Sequence, residues 1–248
     1  MIQLKYQPKP TELTAQVEQT LTDEFKATGK SVWSKDYIKE ALLKMSHEKC
    51  CYCEAPLQQS GNDMEVEHFL PKSVFPDKVV EWKNLLPACG HCNGTKNAHN
   101  PAIEPIIHPV HDNPQEHLSL KNYYLRGNSE KGRMLVTVLK MNHVKQSKPR
   151  FTIGIKLTGR LEILKEKAEE SLLNPNSSKH IKTRIKNELE ELMFECCPGA
   201  EYSAVCATIL LNDENYQTIR QMFVNENLWT DDYQALEDKL KKCALPEK

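Results

Sequence analysis

The sequence predicts an α+β fold that is mainly helical, with a short cysteine-containing module between two helical regions. Apolar residues recur at helical spacing near the beginning of the chain and again in its second half. Residues 47–120 interrupt that pattern with short segments, cysteines, glycines and prolines. We therefore divide the chain into an N-terminal helical segment (1–46), a central module (47–120) and a mainly helical C-terminal region (121–248).

Two helices are predicted in the N-terminal segment. The first spans residues 11–28, with Thr11 as its cap, and Gly29 ends it. Its apolar stripe recurs every four residues: Leu13, Val17, Leu21 and Phe25. The second helix is predicted from Ser34 as cap through Met45, because apolar residues again follow the helical period.

Helices are predicted to return beyond the central module. Residues 100–114 contain too many prolines for a helix and predict an extended segment over the surface. Residues 122–141 predict two short strands around a glycine turn, although the second stretch also fits a helix. Beyond residue 155, two apolar stripes predict helices on either side of "NPNSS". The stripes are Leu161, Leu164, Ala168 and Leu172, then Ile181, Ile185, Leu189 and Leu192. Two more helices are predicted near 201–211 and 231–244.

Composition excludes several protein classes. No apolar run in the 248 residues approaches the ~20 that a membrane-spanning helix needs. The N-terminal "MIQLKYQPKP" has charge and proline where a signal peptide requires an apolar core. We therefore expect a cytoplasmic protein. In that compartment, nine cysteines favour metal binding over a disulfide framework.

The net charge of −1 conceals an uneven distribution. Residues 1–144 carry 17 basic and 17 acidic side chains, whereas residues 145–186 carry 11 and 4. Residues 187–248 reverse the balance, with 5 basic and 13 acidic side chains. A basic stretch followed by an acidic one suggests a surface for a polyanion and another for a protein partner. Solvated helix faces that happen to differ in sign explain the pattern equally well.

The cysteines of the central module have the spacing of a metal site. Cys50-x-x-Cys53 and Cys89-x-x-Cys92 form two knuckles, and four thiolates suit tetrahedral zinc. Cys51 is the spare residue, because pairing it with Cys53 gives a C-x-C that does not match the second knuckle. We expect the later cysteines to be buried thiols without ligand roles: Cys196, Cys197, Cys206 and Cys243.

Polar residues between and after the knuckles are the candidates for chemistry. "EVEHFLPKS" contains Glu67 and His68, and "WKNLLPACGHCNGTKN" contains Asn84, Asn93 and Lys96. Each residue alone has an ordinary explanation, such as a surface pair, a turn asparagine or an exposed helix lysine. Their occurrence together around a four-cysteine site makes those explanations improbable.

These motifs resemble the zinc-ribbon branch of the HNH endonucleases. The resemblance covers about 50 residues and implies a ββα-metal core, in which a β-hairpin and a helix grip one divalent cation. It implies that Glu67 is a cation ligand, His68 the general base, Asn84 the residue that orients the histidine, and Asn93 the second cation ligand. Glu67 departs from the family pattern, in which aspartate is more common. Lys96, one turn after Asn93, is a candidate phosphate contact.

This residue set matches the requirements of phosphodiester hydrolysis. A neutral imidazole, with a pKa near ~6.5, can take the proton of the attacking water. Mg²⁺ or Mn²⁺ can neutralise charge on the phosphate and on the leaving oxygen. Glu67 and Asn93 offer the oxygen ligands that such hard cations prefer. The zinc is expected to be structural, since four thiolates leave it no open position.

A wider resemblance extends to the HNH effector nucleases of the Septu anti-phage systems. It rests on "IQLKYQPKPTEL", "KCCYCE" and "HPVHDNPQEHL" in addition to the motifs above. It implies control by a PtuA-like ABC-type ATPase and, in retron-associated systems, a reverse transcriptase with its RNA–DNA product. Neither DNA nor RNA, including tRNA, is favoured as the substrate.

Two other hypotheses fit less well. A stand-alone restriction-type HNH nuclease needs its own recognition module, and the chain contains no recognisable DNA-reading motif. A non-catalytic zinc-ribbon adaptor has no need for the four polar residues together. A near-zero net charge also offers little non-specific affinity for phosphates, which favours a partner that supplies or gates the substrate.

Overall fold

The computed structural model describes residues 1–59, 62–172 and 178–247, which form two compact units. Unit 1 comprises Met1–Leu118 and Leu125–His143, and unit 2 comprises Ser119–Tyr124 and Val144–Lys248. Most of the described residues are helical, and the strands in the described part of the chain form two small two-stranded sheets. The predicted fold class, α+β and mainly helical, is confirmed.

Unit 1 begins with two helices, α1 (Ala15–Thr28) and α2 (Asp36–Ser46). The Thr14 side chain accepts a hydrogen bond from the backbone of Val17, so the cap lies three residues after the predicted one. Gly29 ends α1 as predicted, with φ at 67°, a left-handed conformation that glycine adopts without steric cost. The buried face of α2 packs against the hairpin described next.

A ββα motif forms the centre of unit 1. Strand β1 (Met64–His68) pairs antiparallel with β2 (Leu85–Cys89), and helix α3 (Gly90–Lys96) follows directly. The register places Glu67 opposite Leu86 and His68 opposite Leu85. Between the strands, two short 3₁₀ helices cover Pro76–Lys78 and Trp82–Asn84. This is the core that the HNH resemblance implies.

The proline-rich stretch leads into two short helices and two strands, of which Ser119–Tyr124 belong to unit 2 and the rest to unit 1. Residues 100–113 contain no helix or strand, as predicted, but Ile106 and Ile107 are buried rather than on the surface. A short helix, α4 (Pro114–His117), precedes strands β3 (Leu118–Lys121) and β4 (Tyr124–Gly127). Helix α5 (Glu130–Val138) then occupies the stretch whose sequence fitted either a strand or a helix.

Unit 2 is a bundle around one long helix. That helix is α6 (Val144–Leu172), and it packs against α7, α8 and α9, while α10 packs on α7 and α8. The bounds are α7 Lys179–Phe194, α8 Ser203–Asn212, α9 Glu214–Asn225 and α10 Asp231–Cys243. Apolar side chains from all five helices form its core. No helix in the described part of the chain combines the length and the apolar character that crossing a membrane requires.

Two features of unit 2 differ from the sequence prediction. Helix α6 begins at Val144 and contains Pro149, although proline usually breaks a helix interior. Pro149 is the sixth residue of the helix, and Gln146 and Arg150 on both sides of it are buried. Helix α9 was not predicted, yet Asp213 caps it and Tyr216 is buried on its inner face. The predicted separator "NPNSS" lies, except for Ser178, outside the described residues.

Candidate active site

Four cysteines of unit 1 form a compact cluster. The Sγ atoms of Cys50, Cys53, Cys89 and Cys92 all lie within 4.8 Å of one another, and all four side chains are buried. The Sγ atoms of Cys53 and Cys89 are 3.7 Å apart. In a tetrahedral site with zinc–sulfur bonds of about 2.3 Å, sulfur atoms stand about 3.8 Å apart. The predicted four-cysteine cluster is therefore present, and its geometry fits zinc.

The cluster fastens the first knuckle to the ββα motif. Cys89 ends β2 and caps α3, where its sulfur accepts a hydrogen bond from the backbone N–H of Cys92 at 3.5 Å. The backbone N–H of Cys51 donates to the carbonyl of Pro87 at 2.9 Å, which joins the first knuckle to β2. The Cys51 side chain lies outside the cluster, and burial raises the pKa of its thiol well above the ordinary value. Zinc here would join the knuckle, the hairpin and the helix.

The later cysteines form no such cluster in the part of the chain that the structure describes. Cys196, Cys206 and Cys243 are buried, and Cys197 is half-buried. Burial raises the pKa of the Cys197 thiol. This agrees with a protonated thiol that packs as a small hydrophobic side chain.

A cleft of about 320 Å³ opens beside the ββα motif and contains three of the predicted catalytic residues. Its lining includes Glu67 and His68 from the end of β1 and Asn93 from α3. Successive strand residues face opposite sides, so Glu65 and Glu67 share the side of β1 that α3 covers. The amide of Asn93 donates to Glu65 Oε2 at 2.5 Å, which ties the middle of α3 to the strand.

Glu67 is paired with the lysine that the sequence offered as a phosphate contact. The Nζ atom of Lys96 lies 2.5 Å from Glu67 Oε1 and also donates to the backbone carbonyl of His68 at 2.9 Å. Lys96 is only 1% exposed, so its ammonium does not stand open in the cleft. The physical reason is that a carboxylate buried as deeply as Glu67 requires a nearby counter-charge. Burial nevertheless raises the pKa of Glu67 to about 7, against the lowering effect of Lys96.

His68 is held in one orientation by the residues around it. Its Nε2–H donates to the carbonyl of Val79 at 2.9 Å, which assigns the lone pair of the neutral ring to Nδ1. The ring meets the indole of Trp33 edge-on, with centroids 4.8 Å apart. Burial lowers the pKa of His68 to about 4, and the nearby lysine charges act in the same direction. The imidazole is therefore neutral at pH 7.

The Asn84 side chain bonds to the backbone near His68 rather than to the imidazole itself. Its Oδ1 accepts from the N–H of Leu70 at 2.7 Å, and its Nδ2 donates to the carbonyls of Leu70 and Lys78 at 3.1 and 3.0 Å. These bonds fix the chain just after His68 and just before Val79, the residue that accepts from the imidazole. Asn84 is buried and does not line the cleft.

The residues at the cleft fit a hard divalent cation by the chemistry of their donors. The Oε1 atom of the Glu67 carboxylate is buried. Lys96 pairs with it by charge but does not donate a well-aligned hydrogen bond to it. The Nδ2 of Asn93 is used by Glu65, which leaves its Oδ1 as a possible ligand atom. Oxygen donors of this kind suit Mg²⁺ and Mn²⁺.

Comparison with known proteins decides the family. A protein-family model described as HNH endonuclease matches residues 50–99, which contain the cysteine cluster and the ββα motif. Over all 248 residues the chain is 42% identical to the Septu protein PtuB of Bacillus thuringiensis, of which it covers 96%. The chain belongs to the PtuB family. Its HNH domain and this membership identify it as a nuclease.

Weaker similarities cover parts of the chain. A second Septu protein PtuB, from Bacillus mycoides (strain KBAB4), is 28% identical over 141 residues, 45% of this chain and 47% of that protein. Protein ea31 of Escherichia phage lambda is 30% identical over 70 residues, 28% of this chain and 22% of that protein. No solved structure matches the chain.

Three residues around the cleft of this PtuB-family chain were missed by sequence reasoning. Glu65 binds Asn93, Lys72 lines the cleft, and Trp33 contacts His68. The alternation of Glu65 and Glu67 in a short strand was a signal for the first, because such residues share a face. Lys72 follows Pro71 in a turn, and nothing local distinguishes it from a surface lysine. Trp33 lies in the N-terminal segment, and only the tertiary fold brings it to the cleft.

Proposed function

We propose that this chain is a metal-dependent HNH endonuclease that hydrolyses phosphodiester bonds in nucleic acid. The observation that supports the proposal most directly is the cleft shared by His68, Glu67 and Asn93. It combines a fixed neutral imidazole with oxygen donors for a cation, the two components that phosphodiester hydrolysis requires. The ion pair with Lys96 holds Glu67 in position, and Glu67 still lines the cleft.

In this mechanism His68 is the general base. Its Nδ1 lone pair takes a proton from a water molecule as the water oxygen attacks phosphorus, while Nε2–H remains on the Val79 carbonyl. The leaving oxygen departs from the opposite side of the phosphorus. Asn84 is a positioning residue that holds the backbone on both sides of the imidazole.

Two metals have separate roles in the proposal. Zn²⁺ bound by Cys50, Cys53, Cys89 and Cys92 is structural. Glu67 and Asn93 would hold Mg²⁺ or Mn²⁺, which supplies charge neutralisation at the phosphate and the leaving oxygen when bound. Glu67 and His68 lie in β1, and Asn93 lies in α3. Zinc bound by the four cysteines would stabilise the ββα motif that contains all three.

The first prediction tests the general base. His68→Ala should abolish cleavage of labelled DNA and RNA in Mg²⁺ or Mn²⁺, with a loss of order 10²–10⁴-fold, because proton transfer from water is lost. Zinc content and the circular dichroism spectrum should not change. His180→Ala is a matched control, since His180 is exposed on α7 in unit 2. Cleavage at the wild-type rate by the His68→Ala protein would remove this histidine from the mechanism.

We also propose that the nuclease is the effector of a cytoplasmic anti-phage system of the Septu type. The proposal is supported by the relationship to the Septu protein PtuB over the full chain. Its controlling partner would be a PtuA-like ABC-type ATPase, with a retron reverse transcriptase and its RNA–DNA product in retron-associated systems. A partner-controlled nuclease needs little affinity of its own for nucleic acid, which agrees with a net charge of −1.

Unit 2 is the region that we propose for ATPase binding. None of the residues lining the cleft belongs to it. Helix α6 exposes Phe151, Ile155 and Ile163 along one face, beside a groove of about 700 Å³. Exposed apolar side chains of this size on one helix face are typical of a protein interface.

The second prediction is that charge and apolar substitutions in unit 2 weaken ATPase association without unfolding. Reversal of the exposed Asp231 and Asp232, and separately Ile155→Glu, should reduce co-purification of the ATPase. Glu188 is a poor choice for reversal, because it pairs with Lys167 at 2.9 Å and its reversal would also remove this ion pair. Unchanged co-purification by both variants would place the interface outside these surfaces.

A further inference from the structure

Lys72 places a positive charge at the cleft. It is half-buried and lines the cleft beside Glu67 and His68. It joins no ion pair among the residues that the structure describes, whereas the buried Lys96 is paired with Glu67. Its charge acts on Glu67 at longer range. Because no carboxylate in the described ranges accepts a hydrogen bond from it, the ammonium keeps its three N–H donors for a bound anion.

Trp33 fixes the direction of the Lys72 side chain. The Lys72 Nζ atom lies 4.8 Å from the centroid of the Trp33 ring, within the range of a cation–π interaction. This contact orients the ammonium without neutralising it, because the indole carries no net charge. Trp33 belongs to the segment between α1 and α2 and is supported on its other side by Phe25, with centroids 5.8 Å apart.

The same indole also contacts the general base. Its ring meets His68 edge-on with centroids 4.8 Å apart, so one side chain connects the imidazole with the ammonium. Trp33 lies outside residues 50–99, the stretch that matches the HNH model. Two residues that line the cleft, His68 and Lys72, are therefore contacted by a residue from the N-terminal helical region.

We propose that Lys72, oriented by Trp33, binds a phosphate oxygen of the nucleic acid at the cleft, and that Trp33 is a positioning residue for both Lys72 and His68. This inference rests on the proposed nuclease function and gives the phosphate-binding role to Lys72 in place of the buried Lys96. The segment between α1 and α2 is then part of the active site.

Binding to a labelled single-stranded DNA or RNA oligonucleotide tests the role of Lys72. The full-length His68→Ala protein serves as the background, so that the oligonucleotide is bound but not cut. Lys72→Gln should weaken binding about tenfold, and should reduce the slope of log affinity against log salt by about 0.7, one phosphate contact on a single strand. Lys72→Arg should retain most of the affinity. Lys44→Gln removes the same charge from an exposed position on α2 and should leave both quantities unchanged.

Cleavage kinetics in Mn²⁺ test the role of Trp33. Trp33→Leu should raise KM about as much as Lys72→Gln does. It should also lower kcat, because the indole no longer packs against His68. Trp33→Phe should restore most of both. In the Lys72→Gln background, Trp33→Leu should lower kcat but raise KM little further, since the ammonium that it orients is already absent. A merely structural tryptophan would give additive effects on KM.

The outcomes separate this inference from the function on which it rests. If Lys72→Gln changes neither affinity nor salt slope while His68→Ala still abolishes cleavage, the phosphate role of Lys72 is wrong and the nuclease mechanism stands. If the two KM effects are additive, the positioning role of Trp33 is wrong. If the wild-type chain, alone and together with the ATPase, neither binds nor cuts nucleic acid with Mg²⁺ or Mn²⁺, both the inference and the proposed function are overturned.

Discussion

At the scale of the residue, the pairing of Glu67 with Lys96 shows how the site is held ready before substrate arrives. A carboxylate that is 2% exposed is expensive to keep charged, and the ammonium 2.5 Å away offsets part of that cost. Lys96 also donates to the His68 carbonyl, so one side chain fixes two consecutive residues of β1. Its contribution is to stability and position.

The third prediction follows from that role. Lys96→Met should lower the free energy of unfolding by about 3 kcal/mol, because it leaves the buried Glu67 without its counter-charge. Lys78→Met is the matched control: Lys78 pairs with Glu81 in an exposed ion pair, and its loss should cost less than about 1 kcal/mol. Chemical denaturation in magnesium-free buffer measures both. Equal stability of the two variants would show that Glu67 does not depend on Lys96.

The candidate site residues illustrate what a sequence can predict. Four cysteines, Glu67 and His68 could be recognised because each belongs to a short motif, C-x-x-C or E-H, whose residue types indicate its chemistry. Lys96 could be recognised as relevant but not as buried, since its environment depends on how α3 packs on β1. Trp33 could not be recognised at all, because its contact with His68 joins residues 35 positions apart, as their numbers show.

At the scale of the element, helix α6 contains two glycines in contrasting surroundings. A Cβ atom on Gly154 would lie 2.3 Å from Tyr123 Cε1 and 2.8 Å from Ile209 Cδ1. A Cβ atom on Gly159 would meet nothing within 4 Å. Gly154 therefore permits a close approach that the packing of unit 2 requires, whereas Gly159 only loosens the helix.

The fourth prediction compares these two positions. Gly154→Ala should destabilise the protein by about 1–3 kcal/mol, because the ring of Tyr123 and the side chain of Ile209 must move. Gly159→Ala should stabilise it by about 0.5–1 kcal/mol, since alanine loses less conformational entropy in a helix. Thermal and urea unfolding measure the difference. A Gly154→Ala protein as stable as Gly159→Ala would contradict the close packing of α6.

The elements also differ in how visible they were in the sequence. Helix α1 was predicted to its last residue because Gly29 ends it through its own backbone freedom. The start of α6 was missed because Pro149 locally disfavours a helix, although the helix includes it as its sixth residue. Helix α9 was missed although Tyr216, Ile219 and Phe223 have helical spacing and are buried, so its signal was available.

At the scale of the whole molecule, the four-cysteine cluster and the helical bundle belong to different compact units. The four cysteines all lie in unit 1, and α6 to α10 all lie in unit 2. Structural zinc contributes directly to folding free energy, but only for the chain that its ligands hold together. Loss of the metal should therefore act unevenly along the sequence.

The fifth prediction uses hydrogen exchange to detect that unevenness. Cys50→Ser should lose zinc and should increase amide exchange in β1, β2 and α3, because the knuckle no longer holds them. Exchange in α8 and α10 should change little. Cys51→Ser should retain the zinc and the wild-type exchange pattern, since its sulfur lies outside the cluster. Zinc loss from Cys51→Ser but not from Cys50→Ser would reverse the assignment of the spare cysteine.

Residues 119–124 belong to unit 2 although the chain on both sides of them belongs to unit 1. This arrangement has a consequence for synthesis on the ribosome. Every residue of unit 1 has been made once His143 has been added, whereas Leu120 pairs with Glu247, which is added on the order of 10 s later at usual translation rates. Unit 1 can thus fold and bind zinc before Glu247, the partner of Leu120, has been synthesised. The order of translation therefore separates the folding of unit 1 in time from the completion of unit 2.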